Sequence, residues 1–269
     1  MLVSPNWFAT RATSELLVVV DCRFSLADPQ LGHQQYLQGH IPGAYYLDLN
    51  QDLSSPVQAH GGRHPLPHVA TLAAKLSQMG ITAATKVVAY DDSRFAFAAR
   101  LWWLLRYMGH DRAAVLDGGF AAYRAAGLPV TSEIPAERSG QFVPKLKPEW
   151  VVDRMGVRQR QNQPNVKLVD SREGERYRGE REPIDPVAGH IPGAVNYPWQ
   201  QVTDEGGRLR SPQDLRTYWS EVATADEIVV YCGSGVTACV NLLALEAAGI
   251  QTGKLYAGSW SDWCSYPLD

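Results

Sequence analysis

The chain has 269 residues, 45% of them hydrophobic and 20% charged, with a formal net charge of −3. That length suits two ordinary domains better than one, and the composition is that of a globular chain with a substantial core. With no basic or acidic tail, nothing in the charge pattern advertises nucleic acid or an anionic membrane as a partner.

The first apolar run, LLVVV (16–20), is too short to span a bilayer or to form the core of a signal peptide. The cytoplasm is the expected compartment. The four cysteines, Cys22, Cys232, Cys239 and Cys264, show no Cys-x-x-Cys spacing and no accompanying histidine cluster. Neither a zinc site nor a disulfide scaffold is expected, no metal or organic cofactor is implied, and the thiols are expected to stay reduced.

In chain order, LLVVVDCR (16–23) predicts a buried strand ending in Asp-x-Arg. GHIPGA (39–44) follows, its proline and two glycines predicting a turn that feeds a strand. TKVVAYDD (85–92) predicts another strand, FAARLWWLLRYMG (97–109) a helix, and VLDGGFAAY (115–123) a closing tail. The polar, proline-dotted stretch SEIPAERSGQFVPKLKPE (132–149) reads as a linker. Then the series starts again: VKLVDSR (166–172), GHIPGA (189–194), DEIVVYCG (226–233), ACVNLLALEAAG (238–249) and LYAGSWSDW (255–263). One order of elements occurring twice marks an internal duplication. Short apolar strands alternating with helices predict an α/β fold, with a parallel sheet flanked by helices in each half. The expected boundaries are a first domain over 1–131, a linker over 132–149 and a second domain over 150–269. His40 and His190 are read as ties within their turns, not as acid–base groups.

Cys232 stands where a strand stops and a glycine-rich turn leads into a helix. Such a turn lies at the carboxyl end of the sheet, where open α/β folds bind ligands. Gly233 and Gly235 let the backbone curl so that successive amide N–H groups converge, and the helix adds the positive end of its dipole. A sulfur at that focus is stabilised as thiolate, and the same cradle suits an anion or a persulfide. Cys232 is therefore the expected nucleophile, while Cys239, Cys22 and Cys264 are expected to be structural. Aligning VVAYDD with VVYCGS puts Asp91 where Cys232 stands. A carboxylate cannot accept a sulfur atom, so only the second half is expected to be catalytic.

With the repeated Gly-His-Ile-Pro-Gly, the Asp/Cys asymmetry and CGSGVTA (232–238), the chain resembles the tandem-domain rhodanese superfamily over essentially its whole length. Thiosulfate sulfurtransferase and 3-mercaptopyruvate sulfurtransferase are the two best-known activities of that family. The resemblance implies two tandem rhodanese-like domains. It also implies a sulfur transfer in which Cys232 takes up a sulfane sulfur as a persulfide and passes it to cyanide, a small thiol or a protein thiol such as thioredoxin. The backbone of Gly233, Gly235, Val236 and Thr237 is the implied cradle for the donor. An uncharged loop of this form looks like the mercaptopyruvate type, since the thiosulfate type carries basic residues there.

Arg176 matches the anion-binding arginine of the family. The mercaptopyruvate enzymes carry a second arginine nine residues further on, where this chain has Asp185; Arg178 or Arg181 is left as a substitute. A Ser–His–Asp relay is also implied. Ser234 matches by loop position, and His64 in RHPLP (63–67) resembles the family's His-x-Leu-Pro. The acid stays open between Asp48 and Asp52, its position falling near Asn50. A thiosulfate-preferring enzyme and a non-catalytic binding module remain as alternatives. A cysteine phosphatase is excluded by Ala238, which stands where Cys-x5-Arg would place its phosphate clamp.

Overall fold

The apolar runs read as strands are buried on both faces, as parallel strands covered by helices must be. In a computed structural model of the chain, which describes residues 1–10 and 16–267, they form two five-stranded parallel sheets. The first holds β1 (Leu2–Val3), β2 (Leu17–Asp21), β3 (Tyr45–Tyr46), β4 (Lys86–Tyr90) and β5 (Ala113–Leu116) in the order β1-β5-β4-β2-β3. The second holds β6 (Val151–Val152), β7 (Val166–Asp170), β8 (Ala194–Asn196), β9 (Glu227–Tyr231) and β10 (Gly253–Tyr256) in the order β6-β10-β9-β7-β8. The two orders are the same, as the duplicated sequence predicts. The helices Ala98–Tyr107 and Ala238–Ala247, predominantly apolar, are buried over most of their length,. Among the described residues no helix is long and apolar enough to cross a membrane.

The chain divides into two compact units. One comprises Met1–Ser55, Pro67–Lys147 and Glu205–Arg208; the other comprises Pro56–Leu66, Pro148–Asp204 and Leu209–Asp269. Most of the stretch read as a linker is fastened to the first unit through main-chain bonds. Arg138 donates to the Gln78 carbonyl at 2.8 Å, Lys145 to that of Met108 at 2.8 Å and Lys147 to that of Tyr107 at 2.9 Å.

The duplicated motifs interlock. In each unit the Asp-x-Arg after the central strand is a buried ion pair, Asp21–Arg23 and Asp170–Arg172. Each arginine also donates to the first glycine of Gly-His-Ile-Pro-Gly, at the carbonyls of Gly39 (2.8 Å) and Gly189 (2.6 Å). The isoleucine amide of the same motif donates to the last tyrosine of the neighbouring strand, Tyr90 or Tyr231. His40 and His190 stack on Tyr36 and Tyr177 and donate through Nδ1 to their carbonyls at 2.7 Å. Both histidines tie their turns together.

The register pairs Asp21 with Tyr90 and Asp170 with Tyr231, so Asp91 and Cys232 occupy the same place, one step past the strand end. Asp91 accepts the amides of Ser93 (2.8 Å), Phe95 (3.1 Å), Phe97 (2.9 Å) and Ala98 (2.8 Å). The turn of the first unit is thus filled by a carboxylate of its own chain. Burial raises the Asp91 carboxyl above its ordinary value, and the amides of Ala98, Ser93 and Phe97 oppose that shift. Asp91→Ala would leave four amides without their acceptor at a buried turn. We expect it to lower unfolding stability by about 2–4 kcal/mol, allowing for the relief of burying a carboxylate, as read by denaturant titration. An unchanged midpoint would show that the turn does not need this anion.

Candidate active site

The second unit builds its site from three pieces: the turn 232–237, the segment 171–193, and a strap, residues 56–66, supplied from the first half of the sequence. The strap is held to the chain around helix Ser259–Trp263. His60 meets Ser265 Oγ at 2.8 Å and stacks on Tyr266, Gly61 N–H donates to Asp262 Oδ1 at 2.7 Å, and Arg63 N–H donates to Ser261 Oγ at 3.1 Å.

Cys232 is buried, and both sides of its peptide are clamped. Its N–H donates to Ser259 Oγ at 3.1 Å, and its carbonyl accepts from the Trp260 amide at 3.0 Å. Gly235 has φ +76°, and a side chain there would run into the Ala257 carbonyl oxygen, so only glycine fits,. Among the described residues, the amides of Gly233, Ser234, Val236 and Thr237 donate to no protein acceptor. In the first unit the corresponding turn gives its amides to Asp91.

Ser234 and His64 are both buried, and Ser234 Oγ lies 2.8 Å from His64 Nδ1. The pair that the resemblance implies is therefore in hydrogen-bond contact. Asp48 and Asp52 form a turn in the first unit: Asp48 Oδ1 accepts the amides of Asn50 and Gln51, and Asp52 accepts the Asp48 amide and pairs with Lys75.

Arg176 is buried and donates to Glu182 at 2.7 Å and 3.2 Å and to Asp185 Oδ2 at 3.1 Å. Arg178 and Arg181 lie on the surface, paired with Glu180 and Glu175. Neither fills the place of a second arginine. The residue that sequence reasoning missed is Arg63, which stands directly before His64 and donates through Nη1 to Asp185 Oδ1. A Cβ built on Gly233 would lie 3.0 Å from Arg63 Nη2 and 3.6 Å from Arg176 Nη1. Two guanidinium groups therefore flank the residue next to Cys232. Burial lowers the Arg63 guanidinium from its ordinary value; the charge of Cys232 opposes this and that of Arg176 adds to it. The only signal for Arg63 in the sequence is its adjacency to His64.

The remaining three thiols are buried as well. Cys239 is buried in its helix. Burial pushes Cys264 up to about 11 and Cys22 well above its ordinary value, so both are protonated at neutral pH.

A family model described as "Rhodanese-like domain" matches residues 4–126 and 156–266. The chain belongs to the rhodanese-like family, as a tandem-domain sulfurtransferase. It is 45% identical to the "Probable 3-mercaptopyruvate sulfurtransferase" of Pseudomonas aeruginosa, over 99% of this chain and 95% of that protein. It is 39% identical to the "Putative thiosulfate sulfurtransferase SseB" of Mycobacterium tuberculosis, over 93% of this chain and 88% of that protein. The crystal structure of SseA from Escherichia coli, described as a 3-mercaptopyruvate sulfotransferase, superposes with a TM-score of 0.84. That match has 31% identity and covers 97% of this chain and 98% of that one.

Proposed function

We propose that the protein moves a sulfane sulfur from 3-mercaptopyruvate, and from thiosulfate less well, to a thiol or cyanide through a persulfide on Cys232. The observation that carries the donor choice is the Ser234–His64 contact of 2.8 Å beside a turn whose residues 233–237 bear no charge. The names of the relatives from Pseudomonas aeruginosa and Escherichia coli support the same donor.

In the proposed step the Cys232 thiolate attacks the sulfur of mercaptopyruvate, forming an S–S bond as the C–S bond breaks. The electron pair goes to carbon, giving the enolate of pyruvate. The proton of the donor thiol ends on that carbon, handed over through Ser234 and His64. Arg176 holds the donor's carboxylate, and the amides of Gly233, Gly235, Val236 and Thr237 face the developing persulfide. The acceptor thiolate then attacks the outer sulfur and releases Cys232; a protein dithiol such as thioredoxin suits that step. With thiosulfate the leaving group is sulfite, and no proton need move. A thiosulfate-preferring enzyme is the second reading, favoured by the name of the Mycobacterium tuberculosis relative.

Cys232→Ser is expected to abolish sulfur transfer, while Cys22→Ser, Cys239→Ser and Cys264→Ser keep most of it. Substantial transfer by the Cys232 variant would overturn the assignment. Mass spectrometry after incubation with donor should show one added sulfur on the wild type, whereas a binding module would gain none.

Arg176→Ala should raise KM for an anionic donor about ten- to a hundredfold, the equivalent of about 1.5–3 kcal/mol of charged hydrogen bonding. Unchanged donor kinetics would make Arg176 a structural member of its ion-pair cluster.

Ser234→Ala should slow mercaptopyruvate turnover more than thiosulfate turnover, because only the first donor needs a proton moved. Equal losses, or a higher kcat with thiosulfate in the wild type, would favour the thiosulfate reading.

A further inference from the structure

The resemblance implies two arginines on the donor's anionic end, yet the second position is taken by Asp185. A carboxylate there would repel the donor's carboxylate unless a cation stands close by. Arg63 is that cation. It comes from the strap 56–66, its main chain fixed by Ser261, its guanidinium fixed by Asp185. Asp185 is buried and shares its two oxygens, Oδ1 with Arg63 Nη1 and Oδ2 with Arg176 Nη2. The two guanidiniums are thereby held beside Gly233 with one edge each turned to the turn that bears Cys232.

Those edges are available. Among the described residues, Arg63 Nη2 and Arg176 Nη1 donate to no acceptor, although Arg176 is buried. Arg63 keeps 31% of its side chain exposed. Two unpartnered donors from two cations beside one glycine match the two oxygens of a carboxylate.

The charge of the cluster then decides which anion it accepts. Arg63, Arg176 and Arg172, which also pairs with Glu182, are balanced by Asp185, Glu182 and Asp170, whose side chains are all buried and hydrogen-bonded. These six side chains carry no net charge before any donor arrives. A singly charged carboxylate binds by directed hydrogen bonds at the cost of one net negative charge, a dianion at the cost of two, in a place shielded from water.

We infer that Arg63 supplies the second cation of the donor-anion site, and that Asp185, shared between Arg63 and Arg176, positions both and sets the site to prefer a singly charged carboxylate over a dianion. The inference rests on the sulfur-transfer reading above and names the recognition chemistry of the same site.

The test has a kinetic arm and a binding arm. Arg63→Gln is expected to raise KM for mercaptopyruvate about tenfold with kcat within threefold, and Arg63→Lys to recover part of the loss. Asp185→Asn is expected to shift the ratio of kcat/KM for thiosulfate over mercaptopyruvate about tenfold towards thiosulfate. The binding arm uses Cys232→Ser protein, with pyruvate as the monoanion and sulfate as the dianion, titrated by calorimetry. There Arg63→Gln should weaken both probes, and Asp185→Asn should tighten sulfate relative to pyruvate. Melting curves confirm that each variant is folded, and if one is not, the other carries the test. Unchanged KM and pyruvate affinity in Arg63→Gln overturn the role of Arg63. An unchanged donor ratio and sulfate affinity in Asp185→Asn overturn the charge argument. Should the wild type fail to use mercaptopyruvate, the donor reading falls, while the pyruvate and sulfate titrations still decide whether Arg63 and Asp185 select the anion.

Discussion

The second unit depends on one buried ion pair, Asp170–Arg172. Arg172 spends its guanidinium on three partners: Asp170, the Gly189 carbonyl at 2.6 Å and Glu182 at 3.1 Å. Through Asp170 it is fixed to the central strand, and through Gly189 to the turn that feeds β8. Through Glu182 it reaches the site. Glu182 holds Arg176, Arg176 holds Asp185, and Asp185 holds Arg63. Six residues of alternating charge thus run from the core of the sheet to the edge of the catalytic turn. A buried pair of this kind adds little net stability over an apolar pair, but losing one partner leaves a charge stranded. Its value lies in fixing where the next residue in the line must stand.

The two units show what that scaffold can do with different residues at one position. Each sheet ends its inner strand in a tyrosine tied to the Gly-His-Ile-Pro-Gly turn, and each follows it with a curled turn and a buried helix. In the first unit the turn closes on Asp91, and four amides are spent on a fixed carboxylate. In the second the same position holds a thiol, and among the described residues the amides of Gly233, Ser234, Val236 and Thr237 meet no acceptor of this chain. The first unit is in effect the second with its ligand built in.

The fold was legible because its determinants are local and repeated. Val- and Leu-rich strands, Asp-x-Arg and Gly-His-Ile-Pro-Gly each carry their own structural reason, and the duplication lets each copy check the other. The edge strands β1 and β6, of two residues each, are too short to leave a pattern. Candidate site residues could be named from the sequence where they lie on one continuous stretch, as with Cys232 and Ser234. The strap was less legible. Residues 56–66 sit between two strands of the first sheet in sequence but cluster with the second unit, and no periodicity reports such a departure. His64 could be named because His-x-Leu-Pro is a pattern. Arg63 has no pattern at all, and its place beside Asp185 and Gly233 appears only in the structure.

Asp185 also explains why counting arginines in the segment 171–193 misleads. That stretch is rich in Arg and Glu, and most of its charges are spent on one another: Arg178 on Glu180, Arg181 on Glu175, Arg176 on Glu182. The first two are surface pairs, which contribute little to stability or to binding,. What separates Arg176 from its neighbours is burial, which removes water as a competitor for its free edge. Arg63, from a different segment and partly exposed, is held instead by a buried carboxylate, Asp185. Recognition of an anionic donor therefore depends less on how many cations the sequence supplies than on which donors remain unspent after the internal pairs have formed. Among the described residues of this unit those are one edge of Arg63, one edge of Arg176 and the amides of Gly233, Ser234, Val236 and Thr237, in the turn that bears Cys232.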